Sequence, residues 1–333
     1  MMPMDARTRY RIVVACVLAL SCLVPAAAQT CETSGDMDEG TRTALTSTAQ
    51  KYFTYVTQGD VASLRQNAIP SLANSFTGVE AAVTEHKTNL AGSQPTARSP
   101  FILKVDGAAP LERAEFLCGV FTGSGQTANS AVFVIPNLGP GTYAVVILDA
   151  STPKGPYTVS FVLQQQGAAW QLGGFFVKAA QVAGHDGAWY AQRARDFKAK
   201  NQPRNAWLYS LLAHDLLLPV PFMSTLTTDK LYDEFQNVKP ADFPPTEIAI
   251  PGKTLKVTTI FLLPVGQEID LIMKYASADI SNSQQVFQDN MAAIKALVAK
   301  YPEFRDGFDE VVARAVEPSG RDFGSMLPMK EIK

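Results

Sequence analysis

The stretch that decides the fold of this chain is Tyr157-Thr158-Val159-Ser160-Phe161-Val162-Leu163. Its odd-numbered positions are apolar and its even ones partly polar, which is typical of an antiparallel strand with one buried face. Gln166-Gly167-Ala168-Ala169 then supplies a turn, and Trp170–Ala179 supplies a second β-rich run. The pattern predicts a hairpin over 157–179 whose odd-numbered side chains face a core.

The residues before this hairpin predict three helices followed by more strands. The helices are expected over 36–58, over Val61–Ile69 with Asp60 as its N-cap, and over Gly78–Leu90. Four short β-rich runs follow, separated by Gly, Pro and Asn: Phe101–Val105, Ala114–Phe121, Ser130–Ile135 and Thr142–Leu148. Helices followed by antiparallel strands predict an α+β domain over 29–182.

Two motifs of this domain resemble the nuclear transport factor 2-like superfamily, which includes ketosteroid isomerase and SnoaL-type proteins. They are the helix ending Tyr52-Phe53…Gly59-Asp60 and the late strand Trp170–Phe176, and the resemblance would cover residues 36–180. It implies a cone-like fold, with helices on the concave face of a curved sheet around an apolar pocket. Family enzymes hold an Asp or His in that pocket as general acid or base. The motifs assign no such residue here, so we expect no catalytic residue.

Helical spacing returns after residue 182. Tyr190, Ala194, Phe197, Ala206 and Ala213 fall at spacings similar to one tetratricopeptide hairpin. Such repeats need about three copies to bury a continuous core, and no second copy is present. The segment 183–239 is therefore predicted to be a helical bridge, with Trp189 and Trp207 packed inward.

The C-terminal part begins after a Pro-rich segment, 240–251, which reads as a linker. Residues 252–333 then show a β-β-α-β-β order, which predicts a small sheet covered by one helix. The elements are expected at Thr254–Leu263, Glu268–Tyr275, Ser281–Lys300, Val311–Val316 and Asp322–Met326. The pattern leaves open whether this segment folds alone or extends the packing of the first domain.

The first 28 residues have the pattern of an export signal. A basic head contains three arginines, an apolar run spans Ile12–Val24, and small residues end at Ala28. We expect cleavage near Ala28 and a periplasmic or secreted protein without a transmembrane helix after cleavage. The alternatives are an uncleaved anchor and an envelope protein carrying a lipid on Cys16 or Cys22.

Cleavage would leave two cysteines, Cys31 and Cys118. In an oxidising compartment a lone pair predicts one disulfide, the alternative being two separate thiols. Neither cysteine has another Cys or His at ligand spacing, so we expect no metal site. The chain carries 29 Lys and Arg against 31 Asp and Glu, and it shows no basic patch for nucleic acid.

Few residues suggest catalysis. In His185-Asp186 and His214-Asp215 the two side chains would point to different faces of a helix, so neither pair forms a relay by itself. A relay between His185 and Asp215 across two helices stays open, and His86 is expected on a solvated face. Zinc-protease, phosphate-loop and calcium-loop motifs are absent from the sequence, and we expect no cofactor.

The leading hypothesis is an exported, non-catalytic binding or scaffold protein of the cell envelope. It would bind an apolar small molecule, a peptide or a protein partner, and the sequence assigns neither the ligand-binding residues nor the oligomeric state. One alternative is an isomerase or cyclase that uses a pocket carboxylate or histidine, such as Asp60 or His214. Another is a protein–protein interaction module built on the helices of 185–238.

Overall fold

The structure, a computed structural model, describes residues 29–333. The predicted export signal and the two lipid-anchor candidates, Cys16 and Cys22, lie outside these residues. The α-helices are α1 (Glu39–Gln58), α2 (Val61–Gln66), α3 (Pro70–Ala73), α4 (Thr77–Leu90), α5 (Gly187–Ala199), α6 (Pro203–Leu217), α7 (Leu226–Gln236) and α8 (Ser283–Lys300). Short 3-10 turns lie at Pro302–Asp306 and Met329–Glu331. None of the helices in 29–333 is both long enough and apolar enough to cross a bilayer.

The strands form three main sheets, and the predicted α+β class is confirmed. The first half contains β1 (Gln29–Glu32), β2 (Pro95–Ala97), β3 (Phe101–Val105), β4 (Leu111–Thr122), β5 (Gly125–Leu138), β6 (Gly141–Thr152), β7 (Gly155–Gln166) and β8 (Ala169–Ala179). The second half contains β9 (Gln181–Val182), β10 (His185–Asp186), β11 (Met223–Thr225), β12 (Glu247–Ile250), β13 (Lys253–Val265), β14 (Glu268–Ala276), β15 (Glu310–Val316) and β16 (Asp322–Pro328).

The central sheet has the antiparallel order β1-β3-β6-β7-β8, with β2 also paired to β6. Helices α1–α4 cover one of its faces, where Val159, Phe161 and Leu163 enter a common core with Tyr52 and Phe53. The predicted hairpin over 157–179 and its inward odd positions are therefore present. Asp60 caps α2 as predicted, because its carboxylate accepts a hydrogen bond from the Ser63 amide at 3.0 Å.

The alternation over 157–163 predicts a strand with one buried face, but in the structure both faces of the central sheet are covered. The β4–β5 hairpin leaves the central sheet, pairs with β11 and packs over the face opposite α1–α4. Thr158 and Ser160 are consequently buried, and Ser160 Oγ donates a hydrogen bond to the Pro219 carbonyl at 3.2 Å. Small polar side chains with such partners can be buried at little cost, so alternation did not mean exposure here.

Cys31 and Cys118 form a disulfide, with their Cα atoms 5.2 Å apart. The bond joins β1, at the edge of the central sheet, to β4 in the sheet that covers it. The predicted pairing is present, and it fastens two layers of the domain together.

The β4–β5 hairpin depends on a glycine next to this disulfide. Gly119 has φ +85°, and a Cβ at this position would lie 2.1 Å from the Asn129 carbonyl oxygen. We expect Gly119→Ala to lower the free energy of unfolding by ~1–3 kcal/mol, because the backbone is strained and the neighbouring strand must move. Urea denaturation measures this, with Gly123→Ala in the same hairpin as the control, since a Cβ there meets nothing within 4 Å. Equal losses in the two variants would contradict the account.

The second half of the chain has a separate core. The five-stranded sheet has the order β12-β13-β14-β15-β16, in which only β14 and β15 are parallel and α8 makes the crossover between them. Helices α5, α6 and α8 bury their apolar faces in one core with this sheet. The helical bridge and the C-terminal strands thus pack as one body. The second half of the predicted Pro-rich linker forms β12.

Candidate functional site

The space between α1–α4 and the central sheet was expected to hold a pocket. In the structure this space is filled by core side chains such as Tyr52, Phe53, Leu148 and Phe161, each at most 3% exposed. A ligand could enter only by displacing them. Asp60 does not face this space as a free carboxylate, because it caps α2.

Three adjoining depressions that all contain His214 lie elsewhere in the described part of the chain. We call them together the His214 groove. The first, of about 480 Å³, is lined by residues that include Phe175, Phe176, Lys178, Leu218, Pro219 and Pro221. The second, of about 430 Å³, is lined by residues that include Val132, Val134, Phe222, Ser224, Asp229 and Tyr232. The third, of about 100 Å³, is lined by residues that include Trp207, Leu211, Leu231 and Phe235.

Elements from both halves of the chain build the groove. Val132 and Val134 project from the outer side of β5, since Ala131 and Phe133 point into the core between the sheets. Helix α6 supplies His214, and α7 supplies Tyr232, whose ring centroid lies 6.2 Å from that of His214. The groove is therefore predominantly apolar and aromatic, as small-molecule sites usually are.

His214 is half-buried between these walls. Burial lowers the pKa of its imidazole below the ordinary value of 6.5, and the negative charges of Asp215 and Asp229 only partly oppose this. At pH 7 the ring is therefore neutral. An uncharged imidazole can accept or donate a hydrogen bond in an otherwise apolar groove.

Asp229 gives the groove a fixed polar wall. One of its carboxylate oxygens accepts hydrogen bonds from Gln126 Nε2 at 2.6 Å and from Ser224 Oγ at 3.2 Å. These contacts hold the start of α7 against β5 and β11. Because both contacts are made to one carboxylate oxygen and join three elements, Asp229 acts first as a structural anchor.

Lys178 closes the other end of the groove. Its ammonium group contacts the Asp215 carboxylate at 3.3 Å and donates a hydrogen bond to the Asp215 main-chain carbonyl. A cation at the last turn of α6 also complements the helix dipole. The contact ties α6 to β8.

The structure does not assemble the relay between His185 and Asp215. Asp215 pairs with Lys178, whereas the His185 ring stacks on Trp189 with the centroids 3.7 Å apart. Asp186 caps α5 through the Trp189 amide. Trp189 was expected to pack inward, but it is 40% exposed because it stacks on the exposed imidazole.

His86 also differs from its expected solvated position. Its side chain is 18% exposed and lies edge-on to Tyr157, and its Nδ1 has no hydrogen-bond partner among the described residues. It lies at the side of the helical layer and does not line the groove. No group of three or more His, Cys, Asp or Glu side chains within 29–333 is placed to hold a metal ion.

The sequence suggested His214 but not its surroundings. The groove exists because β11, only three residues long, adds to β5 and places Phe222 and Ser224 beside His214. Pro219 and Pro221, in the segment between α6 and β11, form part of the wall. A three-residue strand has too little periodicity to be recognised in advance.

No protein-family model, curated protein or solved structure matches this chain.

Proposed function

We propose that the protein is an exported, non-catalytic binding protein whose ligand lies in the His214 groove. The observation that carries the proposal is the meeting of three apolar depressions at one neutral imidazole. The two larger depressions, of about 480 and 430 Å³, each fall within the usual size of ligand sites, ~300–1,000 Å³. The Cys31–Cys118 disulfide supports export, because such bonds persist in oxidising compartments.

The lining favours an uncharged, elongated and largely apolar ligand, such as an aromatic compound or a fatty acyl group. Phe175, Phe176 and Phe222 offer aromatic surface, while His214 offers one hydrogen-bonding group. The charges of Lys178 and Asp215 already neutralise each other. A strongly charged ligand would find no free counterion at this end of the groove.

An isomerase or cyclase is the alternative, and one observation favours it. His214 is neutral at pH 7 in an apolar groove, which is the state a general base requires.

An interaction module on the helices is favoured by Leu211 and Tyr232, which are 46% and 53% exposed beside the same groove. Both alternatives use the same groove. They differ from the main proposal in what binds there and in whether a reaction follows binding.

Titration with the uncharged fluorophore N-phenyl-1-naphthylamine tests the site. Val134→Lys places a cation on the β5 wall of the groove and is expected to weaken binding at least tenfold, because charged groups are costly to bury against an apolar ligand. The matched control is Val120→Lys in the hairpin partner β4, where the side chain is 58% exposed. Equal affinity of both variants and the wild type would place the probe elsewhere and contradict the proposal.

Binding is also expected to depend on pH through His214. Burial lowers its pKa below the ordinary 6.5, so the ring is neutral at pH 7.5 and takes up a proton only at pH values below 6.5. A charged ring disfavours an apolar ligand, and we expect the affinity for the uncharged probe to fall roughly three- to tenfold once the ring is protonated. In His214→Gln the decrease should disappear. An unchanged pH profile in this variant would assign the effect to another group.

A further inference from the structure

The five-stranded C-terminal sheet has one covered and one open face. Leu271, Met273 and Tyr275 of β14 point into the core beneath α5, α6 and α8. The alternate residues of the same strands point to the opposite face of the sheet. No helix of the described residues packs against that face. On this open face Leu263 and Met326 at the outer strands are 44% and 53% exposed, whereas Ile272 on the central strand β14 is 2% exposed.

The side chains of the open face are sorted in rows across four strands. Strand register places Phe261, Ile272, Val312 and Met326 side by side, so that the middle row is entirely apolar. The row on one side contains Asp270 and Glu310, and the row on the other side contains Lys274 and Arg314. An apolar row is thus flanked by an acidic row and a basic row.

Asp270 lacks the partner that a buried carboxylate needs. Asp270 is 3% exposed, and its Oδ1 has no hydrogen-bond partner among the described residues. Burial, with repulsion from Glu310 and Glu268, raises the pKa of Asp270 to about 6. A buried charge is costly unless it is paired, so a cation is what this position lacks.

The basic row is only partly neutralised within the chain. Arg314 pairs with Asp322 at 2.8 Å, and Lys274 lies over the Phe261 ring at 5.4 Å from its centroid. Both cations remain on the open face. Lys274 lies close enough to Asp322 to help lower the pKa of that carboxyl, but it forms no salt bridge among the described residues and can pair with an acidic group that approaches from outside.

We propose that a second copy of this chain covers the open face, related by a twofold axis that runs along the apolar row. Such an axis reverses the strand direction across the interface. It lays the apolar row of one copy on that of the other, and it sets Asp270 and Glu310 of each copy against Lys274 and Arg314 of the other. This self-complementarity is what a twofold interface requires.

The charge order selects this axis over the other twofold arrangement. An axis parallel to the strands would place the acidic row on the acidic row and the basic row on the basic row. Like charges in direct opposition are strongly unfavourable in an interface. The inference does not depend on the His214 groove, which lies on different elements.

Sedimentation equilibrium of the exported protein tests the proposal. We expect the wild type to be a dimer, and we expect Lys274→Glu and Glu310→Lys each to weaken it at least tenfold. Because the axis lays β15 on β15, Glu310 of each copy faces Arg314 of the other. The double variant Glu310→Lys/Arg314→Glu exchanges these two facing charges and should recover most of the affinity that Glu310→Lys loses. Purely structural damage would not be reversed by combining two charge reversals.

An apolar variant tests the middle row independently. Met326→Asp should give a monomer, whereas Phe287→Asp should leave the dimer intact, because Phe287 is 50% exposed on α8 away from the open face. A monomeric wild type would overturn the proposal and leave the face to a different protein. A dimer unaffected by Lys274→Glu and Met326→Asp would overturn it as well. Far-UV circular dichroism confirms that each variant is folded.

Discussion

Cys31→Ala is expected to lower the free energy of unfolding, measured by urea denaturation at neutral pH, by up to about 4–5 kcal/mol. The bond closes a loop with a sequence separation of 87 residues, and an unfolded chain without it gains the corresponding entropy. Cys31 is the better position to change, because Cys118 is fully buried and its replacement would also leave a cavity.

The matched control for this variant is the reduced wild type. Reduction should destabilise the wild type by the same amount and leave Cys31→Ala unaffected. Hydrogen exchange should show the loss first in β4 and β5, because the disulfide joins their sheet to the central one. Equal stability of the oxidised wild type and Cys31→Ala would contradict this account.

The second large effect is expected at Arg204, at the junction of the helical bridge and the C-terminal segment. Its guanidinium contacts Glu303 at 2.9 Å and Asp242 at 2.7 Å, and it lies over the Tyr301 ring at 4.2 Å from the centroid. The side chains of Arg204 and Glu303 are only 19% and 12% exposed. Arg204→Ala would leave the Glu303 carboxylate buried without its cation, which typically costs about 3–5 kcal/mol.

Arg65→Ala is the control for Arg204→Ala. Arg65 also pairs with a carboxylate, Glu80 at 2.6 Å, but both side chains are at least 41% exposed. Such pairs contribute at most about 1 kcal/mol. Adding Glu303→Gln to Arg204→Ala should recover part of the loss, since no charge is then stranded. Urea denaturation giving the same loss for Arg204→Ala and Arg65→Ala would refute the role assigned to this junction.

The central strands could be predicted because their apolar residues repeat with a strict period. Val159, Phe161 and Leu163 face the helices as the alternation required. The burial of Ser160 could not be predicted, because it depends on the distant Pro219 carbonyl and on a hairpin that crosses the sheet. The spacing of apolar residues along a strand indicates which face of the sheet is buried. Tertiary packing decides whether the opposite face is also covered.

The candidate site was less accessible to sequence analysis than the fold. His214 was suggested by its chemistry, but its lowered pKa arises from burial by residues far along the chain. The open face of the C-terminal sheet shows the same limit. Asp270 and Lys274 are visible in the sequence, but their rows exist only once β15 pairs in parallel with β14.

The measurement that tests the central claim most directly is native mass spectrometry of the protein purified from the exported fraction, with Val134→Lys and Val120→Lys beside the wild type. We expect the wild type and Val120→Lys to retain an apolar small molecule that denaturation releases, and we expect Val134→Lys to be empty. Retention of the same molecule by Val134→Lys, or its absence from the wild type, would contradict a ligand site in the His214 groove.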